Sequence, residues 1–304
     1  MFRLVQFLAS LALLFSPMAY AQPAAAPPTA TKLMDIGGAQ LQYVEQGEGE
    51  PILFIHGAPQ DLRAWEPIRD IISKKHRFIA YTQRYFGTEA WKDDGKQFSM
   101  AMLAEDLAGF IKSLNTGPVH LVAWSYGGQV ATIAAVKNPS LVRSLVLYEP
   151  SVNVLAADSP EGKAAREDRA KILGPAVAAI KAGDPTRAAR LLHEGVFQLS
   201  PGGFDNEPQT LQTTALENAR PLPLVFTAPP PPSVTCEMLT SFTRPTLLIH
   251  GEKTQTSYKL MAEGMSRCLP GARLLVIPNV NHAGPRQDPA AFSAAVLEFV
   301  SASH

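Results

Sequence analysis

The apolar positions of this chain fall into short continuous runs separated by longer stretches of helical period. Residues 51–55, Pro-Ile-Leu-Phe-Ile, carry no polar side chain. That is the pattern of a strand buried on both faces, as in a parallel sheet. Residues 77–81, 119–124, 144–148, 246–249 and 273–277 are further short runs rich in aliphatic and aromatic side chains. Residues 41–45 instead alternate, as an early antiparallel strand does. Amphipathic segments lie between the runs. Over 99–114, Met102, Leu103, Leu107, Phe110 and Ile111 share one helical face, and a similar segment at 289–300 closes the chain. Strands alternating with helices predict an α/β fold built on a doubly wound, mostly parallel sheet.

The pattern changes between 151 and 243. Charged, Ala-rich helical segments dominate there, such as 161–182 and the one opened by Asp184-Pro185, where Asp caps the helix and Pro fills its first turn. The run 229–232 is all Pro and reads as a stiff spacer. The expected organisation is therefore a core of 33–150 and 244–304, with 151–243 inserted as a helical cap. Such a cap would sit over the carboxyl ends of the strands, where sheets of this type bind ligands.

Composition narrows the partners and the compartment. Lys and Arg number 27, Asp and Glu 27, so no basic excess points to nucleic acid. Arg3, the apolar stretch 4–15 and Ala19-Tyr20-Ala21 read as a signal peptide over 1–21, cleaved after Ala21. Residues 22–32 then form a flexible Ala/Pro-rich leader, and the protein is periplasmic or secreted. The apolar stretch is too short to span a bilayer comfortably, so no stable membrane anchor is expected. The two cysteines, Cys236 and Cys268, are either one disulfide or two separately buried thiols. Without clustered histidines beside them they make no metal site.

The candidate chemistry centres on 119–136. An apolar run leads into Ala123-Trp-Ser125-Tyr-Gly127, and an Ala-rich helical pattern follows directly. This is the strand–turn–helix context of a nucleophile elbow, usually G-x-S-x-G, with Ala123 at the first small position. Such a turn lifts the Ser hydroxyl above the sheet and aims the first helical N–H groups at the reacting carbonyl. The alternative is an ordinary strand-to-helix turn with a Ser N-cap.

His56-Gly57-Ala58-Pro59 after a buried strand, the elbow at Ser125 and Asn281-His282 past the last strand occur in a fixed order. Together they resemble the α/β-hydrolase superfamily over essentially the whole mature chain. The resemblance implies Ser125 as nucleophile, His282 as general base, and the backbone N–H groups of Ala58 and Tyr126 as the oxyanion hole. His56 would shape its loop, and His250, at a strand end, would be structural.

The acid departs from the family pattern. The usual G-x-x-D after the penultimate strand reads Gly251-Glu252-Lys253-Thr254 here. Glu149 ends the strand after the elbow helix, a location used by some haloalkane dehalogenases of this fold, and it is the expected triad acid, with Glu252 as the alternative. Haloalkane dehalogenases and epoxide hydrolases share His-Gly-x-Pro but place Asp at the elbow, and Ser125 sets this chain apart from both.

The expected function is an exported serine hydrolase, without metal or cofactor, cleaving an ester, lactone or thioester of a small molecule. Trp124 is the expected substrate-binding side chain. Together with Tyr126, Phe197 and Phe204 it suggests an apolar substrate, unless these aromatics are plain core packing. A non-hydrolytic binding protein and a cofactor-free perhydrolase on the same fold are the alternatives.

Overall fold

The structure, a computed structural model, describes residues 30–155, 158–229 and 233–303. The expected signal peptide, most of the leader and residues 230–232 of the proline run lie outside them.

In chain order the strands are β1 (Lys32–Ile36), β2 (Ala39–Gln46), β3 (Pro51–Ile55), β4 (Arg77–Tyr81), β5 (Val119–Trp124), β6 (Val142–Tyr148), β7 (Thr246–Gly251) and β8 (Arg273–Ile277). They form a sheet of order β1-β2-β4-β3-β5-β6-β7-β8. The β1–β2 and β2–β4 pairings are antiparallel, and the remaining pairings are parallel. The helices are α1 (Glu66–Ile72), α2 (Met100–Leu114), α3 (Tyr126–Lys137), α4 (Pro160–Lys181), α5 (Pro185–Phe197), α6 (Gln209–Glu217), α7 (Leu222–Thr227), α8 (Cys236–Thr240), α9 (Thr256–Cys268), α10 (Gly284–Gln287) and α11 (Pro289–Ser301).

The unbroken apolar run of β3 is buried at every position, because helices cover both faces of the sheet. Phe54 points to one side, into a layer with Trp65, Trp124, Tyr148 and Phe292. Leu53 and Ile55 point to the other, with Tyr81, Phe110 and Val130. The period-two alternation of a strand thus feeds two cores from one sequence. Each such side chain taken fully out of water contributes about 1.5–3 kcal/mol.

The helix reading of 99–114 corresponds to α2, whose N-cap Ser99 accepts a hydrogen bond from Met102 N–H at 3.1 Å. It ends at Asn115 in the left-handed region, a common helix stop. Asp184 caps α5 by accepting from Arg187 N–H at 2.8 Å. One boundary differs from expectation. β1 begins at Lys32, the last residue assigned to the leader. Its outer residues are exposed and give no apolar run, so it is pairing with β2 that makes this segment a strand.

Helices α4 to α8 lie between β6 and β7 as the inserted cap. Three polar ties join α6 to the sheet's loops. Asn218 Nδ2 donates to Asp61 Oδ2 at 2.8 Å, Gly87 N–H donates to Asn218 Oδ1 at 2.6 Å, and Arg63 Nη2 bridges Asp61 and Glu217, each at 2.6 Å. Cys236 and Cys268 are disulfide-bonded and link α8 to α9. No helix of the described residues is long and apolar enough to cross a membrane.

Candidate active site

β5 ends at Trp124 and α3 begins at Tyr126, so Ser125 alone makes the turn between them. It does so at φ 55°, a left-handed conformation rare for a non-glycine residue. The sharpness of this turn explains the small residues around it. A Cβ on Gly127 would stand 2.3 Å from the carbonyl oxygen of His56, and one on Gly57 would stand 3.1 Å from Ser125 Cβ. The elbow and the loop after β3 are therefore packed backbone against backbone. Ser125 N–H donates to Tyr148 O at 3.0 Å, and Ser151 N–H donates to Ser125 O at 3.0 Å.

His282 follows β8 and reaches back over the sheet. Its Nε2 lies 2.9 Å from Ser125 Oγ and its Nδ1 lies 2.6 Å from Glu149 Oε2. A carboxylate only accepts, so Nδ1 carries the proton and Nε2 is left free to accept one from the serine. Glu149 is fully buried just past the end of β6, at φ 45°. Its Oε1 accepts from Gly251 N–H at 2.8 Å, and its Oε2 accepts from the Thr254 hydroxyl at 2.8 Å. Thr254 thus stands at the position of the family's usual acid and holds the carboxylate that lies there instead. Glu252 is exposed and accepts from Asn279 N–H at 2.9 Å, turned away from His282.

Neither Ala58 N–H nor Tyr126 N–H donates a hydrogen bond within the described residues. Tyr126 is the first residue of α3, where an intrahelical partner is geometrically unavailable. The Tyr126 amide belongs to the residue after Ser125, and the Ala58 amide to the loop that Gly57 lets approach the elbow. His56 is not a catalytic group here. Its Nδ1 donates to Gly57 O at 2.7 Å, and its Nε2 accepts from Gln83 N–H at 3.0 Å. Burial holds its pKa down to about 4, so it is a neutral brace for that loop. His250, similarly, bonds its neighbour Gly251 O at 2.9 Å.

An aromatic layer fixes the His282 ring. Tyr258 stacks on it at 3.9 Å with the planes 11° apart. Phe197 and Trp124 close the remaining sides at 5.9 and 6.0 Å. Trp124, expected at the substrate, is only 1 % exposed. As the last residue of a strand covered on both faces it turns into the core, where Trp65, Tyr148 and Phe197 meet its ring. Its aromatic faces are therefore occupied by packing. Phe204 is likewise interior to the cap, against His193. The Tyr258 stack and the Thr254 hydroxyl were not foreseen. A hydroxyl in place of the G-x-x-D acid could have signalled the second, but no sequence pattern marks the first.

The His282 loop is fastened on two sides. Tyr148 hydroxyl donates to Asn281 O, and Asn281 Nδ2 donates to Phe197 O at 3.0 Å. A cleft of about 440 Å³ opens beside Tyr126 and Gln129, walled by Leu173, Val225, Phe226 and Met261 and, on its polar part, by Ser151, Asn153 and Arg169. That is the size of a small-molecule site.

Comparison with known proteins places this arrangement in context. A 2-(acetamidomethylene)succinate hydrolase of Mesorhizobium japonicum is 27% identical over 278 residues, which cover 90% of this chain and 95% of the relative. A non-heme chloroperoxidase of Kitasatospora aureofaciens is 32% identical over 131 residues, 41% of this chain and 46% of the relative. Among solved structures, a thermophilic esterase of Thermogutta terrifontis superposes with a TM-score of 0.68 at 23% identity, covering 91% of this chain and 100% of the esterase. The model of the alpha/beta hydrolase family matches residues 52–295, from β3 into α11 and through every loop just described, and the chain belongs to that family.

Proposed function

We propose that Ser125, His282 and Glu149 form the catalytic triad of a serine hydrolase acting on an ester-type bond of a small, largely apolar molecule. The supporting observation is the unbroken relay of two hydrogen bonds, 2.9 Å from serine to histidine and 2.6 Å from histidine to glutamate. In this reading His282 Nε2 takes the Ser125 proton as Oγ attacks the carbonyl carbon, and the carbonyl π pair moves onto oxygen. The Ala58 and Tyr126 amides hold that oxyanion, while Glu149 stabilises the imidazolium. His282 then hands its proton to the departing alcohol, thiol or ring oxygen, leaving an acyl-serine. Water then attacks the acyl-serine, giving a proton to His282, and His282 passes it to Ser125 Oγ as the acyl–oxygen bond breaks and the acid leaves. The apolar part of the cleft wall beside Tyr126, formed by Leu173, Val225, Phe226 and Met261, supports an apolar acyl or alcohol portion.

A fluorophosphonate probe with a p-nitrophenyl ester panel tests this. The probe is expected to label Ser125 and no other serine, and Ser125→Ala is expected to lower turnover on the order of a million-fold, as loss of a triad serine does in subtilisin. Retained turnover in purified Ser125→Ala would remove the assignment. The chloroperoxidase likeness supports a second reading, in which hydrogen peroxide replaces water at the acyl-serine and yields a peracid.

We also infer that the protein works outside the cytoplasm. The Cys236–Cys268 bond supports this, since disulfides persist in oxidising compartments. Amino-terminal sequencing of exported protein is expected to begin at Gln22, and a start at Met1 would count against export.

A further inference from the structure

A second cavity, of about 40 Å³, lies on the other side of the loop that follows β3. It has room for more than a single water. Its lining includes Gln60, Trp124, His193 and Arg286. Each of these carries a buried polar atom without a hydrogen-bond partner among the described residues: Gln60 Oε1, Trp124 Nε1, His193 Nδ1 and Arg286 Nη1. Gln60, Trp124 and His193 are at least nine-tenths buried. Native proteins leave few such groups unsatisfied, and four on one cavity call for a ligand or bound solvent.

The chemistry of the four atoms is mixed. Trp124 Nε1 and Arg286 Nη1 can only donate. His193 turns its Nε2 to the Glu207 carboxylate at 3.3 Å, so the ring proton sits there and Nδ1 is an acceptor. Burial keeps this ring neutral, with a pKa down to about 4. Gln60 Oε1 is a second acceptor. Both guanidinium groups are already paired with carboxylates. Arg286 faces Glu207 at 3.4 Å, and Arg63, which also lines the cavity, is bound by both Asp61 and Glu217 at 2.6 Å. A carboxylate brought here would add a negative charge where acidic groups already outnumber basic ones. A group that is neutral, and offers an acceptor and a donor side by side, fits both the hydrogen-bonding pattern and the charge.

The cavity also lies close to the reacting atoms. Gln60 Oε1 and Ser125 Cβ stand 3.8 and 3.1 Å from the same point, where a side chain on Gly57 would begin. Pro59 and Gln60 directly follow Ala58, and Trp124 directly precedes Ser125.

We propose that this cavity is a subsite for a neutral amide group of the substrate, its C=O accepting from Trp124 and Arg286 and its N–H donating to His193 or Gln60. The proposal rests on Ser125 as nucleophile and defines the substrate as an acyl compound bearing an uncleaved amide a few bonds from the scissile carbonyl.

Two measurements test it separately from the serine reading. In the first, the Trp124 indole N–H resonance of the wild-type protein is followed while N-methylacetamide, sodium acetate or sodium chloride is added. A saturable shift with N-methylacetamide, and weaker binding of acetate, is expected. No shift with N-methylacetamide, as for a cavity holding only water, or stronger binding of acetate or chloride, overturns the amide site. In the second, p-nitrophenyl acetamidoacetate, 4-oxopentanoate and pentanoate are compared, each kcat/KM divided by the ester's hydroxide rate. The amide ester is expected to exceed the pentanoate by about tenfold or more, because the alkyl chain leaves buried groups unpaired. The keto ester, which keeps only the acceptor, should fall between. Arg286→Met is expected to shrink the ratio, and an unchanged ratio in a folded variant overturns the assignment. If no ester is hydrolysed, the serine reading fails while the indole titration still decides the subsite.

Discussion

The ends of β6 and β7 lie side by side in the sheet and divide one task between them in an unusual way. The β7 end has the family's G-x-x-x spacing but carries Thr254 where an acid is customary, and its one carboxylate, Glu252, faces Asn279. The β6 end carries Glu149, fully buried and 2.6 Å from His282. Yet the two ends are not independent, because Gly251 N–H and the Thr254 hydroxyl both donate to Glu149. The β7 loop thus donates hydrogen bonds to the Glu149 carboxylate and presents no carboxylate of its own to His282. In the proposed triad the β6 end delivers the carboxylate that the family resemblance places at the β7 end.

The comparison can be tested in descending order of effect. In the proposed triad, Glu149→Gln is expected to lower kcat roughly ten-thousand-fold with KM little changed. An amide favours the wrong histidine tautomer and cannot stabilise the imidazolium, as in a serine protease. A small effect in a variant of unaltered circular dichroism would return the acid to the β7 loop or leave the triad without one. Adding Thr254→Asp to Glu149→Gln is expected to recover on the order of a hundred-fold of that loss, since Thr254 Oγ1 already stands next to the carboxylate's place. No recovery in stopped-assay kinetics would mean that the β7 end can no longer present an acid to His282. Thr254→Val in the otherwise native chain removes one donor from a buried carboxylate and should cost about tenfold in kcat/KM. An increase would show that the hydroxyl restrains Glu149 away from its best position. Glu252→Gln is expected to change kcat/KM by less than about twofold, because its carboxylate points to the β8 turn.

Much of this architecture can be read from the chain, for identifiable reasons. Residues 51–55 and 119–124 announce themselves because a strand buried on both faces needs an apolar side chain at nearly every position. α2 and α5 are marked by Ser99 and Asp184 as caps. Short elements fixed by tertiary contact leave weaker traces. β1 is half exposed, and α6 and α7 start without a side-chain cap. At the site, Ser125 and His282 stood out by order along the chain, and Glu149 only through likeness to proteins with the acid on that strand. Two features were illegible. Stacking of Tyr258 on His282 depends on how α9 packs, and the polar cavity at Gln60, Trp124, His193 and Arg286 gathers residues from four separated segments. Trp124 shows the same limit from the other side. Its place beside Ser125 does not reveal that the alternation of β5 sends its ring into the core and leaves its indole N–H beside that cavity with no partner among the described residues.

The hydrogen bond from Ser125 N–H to Tyr148 O has a mechanical meaning. It ties the elbow to the residue just before Glu149, on the strand that pairs directly with β5. Ser125 and Glu149 are thus mounted on one two-stranded frame. His282 is the only member of the three on a separate support, the loop after β8. The hydrogen-bonded chain of the three thus depends on how that loop is held against the frame. Tyr148 acts on it from the frame through Asn281 O, and Phe197 from the cap through Asn281 Nδ2. A motion of α5 would reach the histidine by two routes, the Asn281 side chain and the Phe197 ring packed against His282.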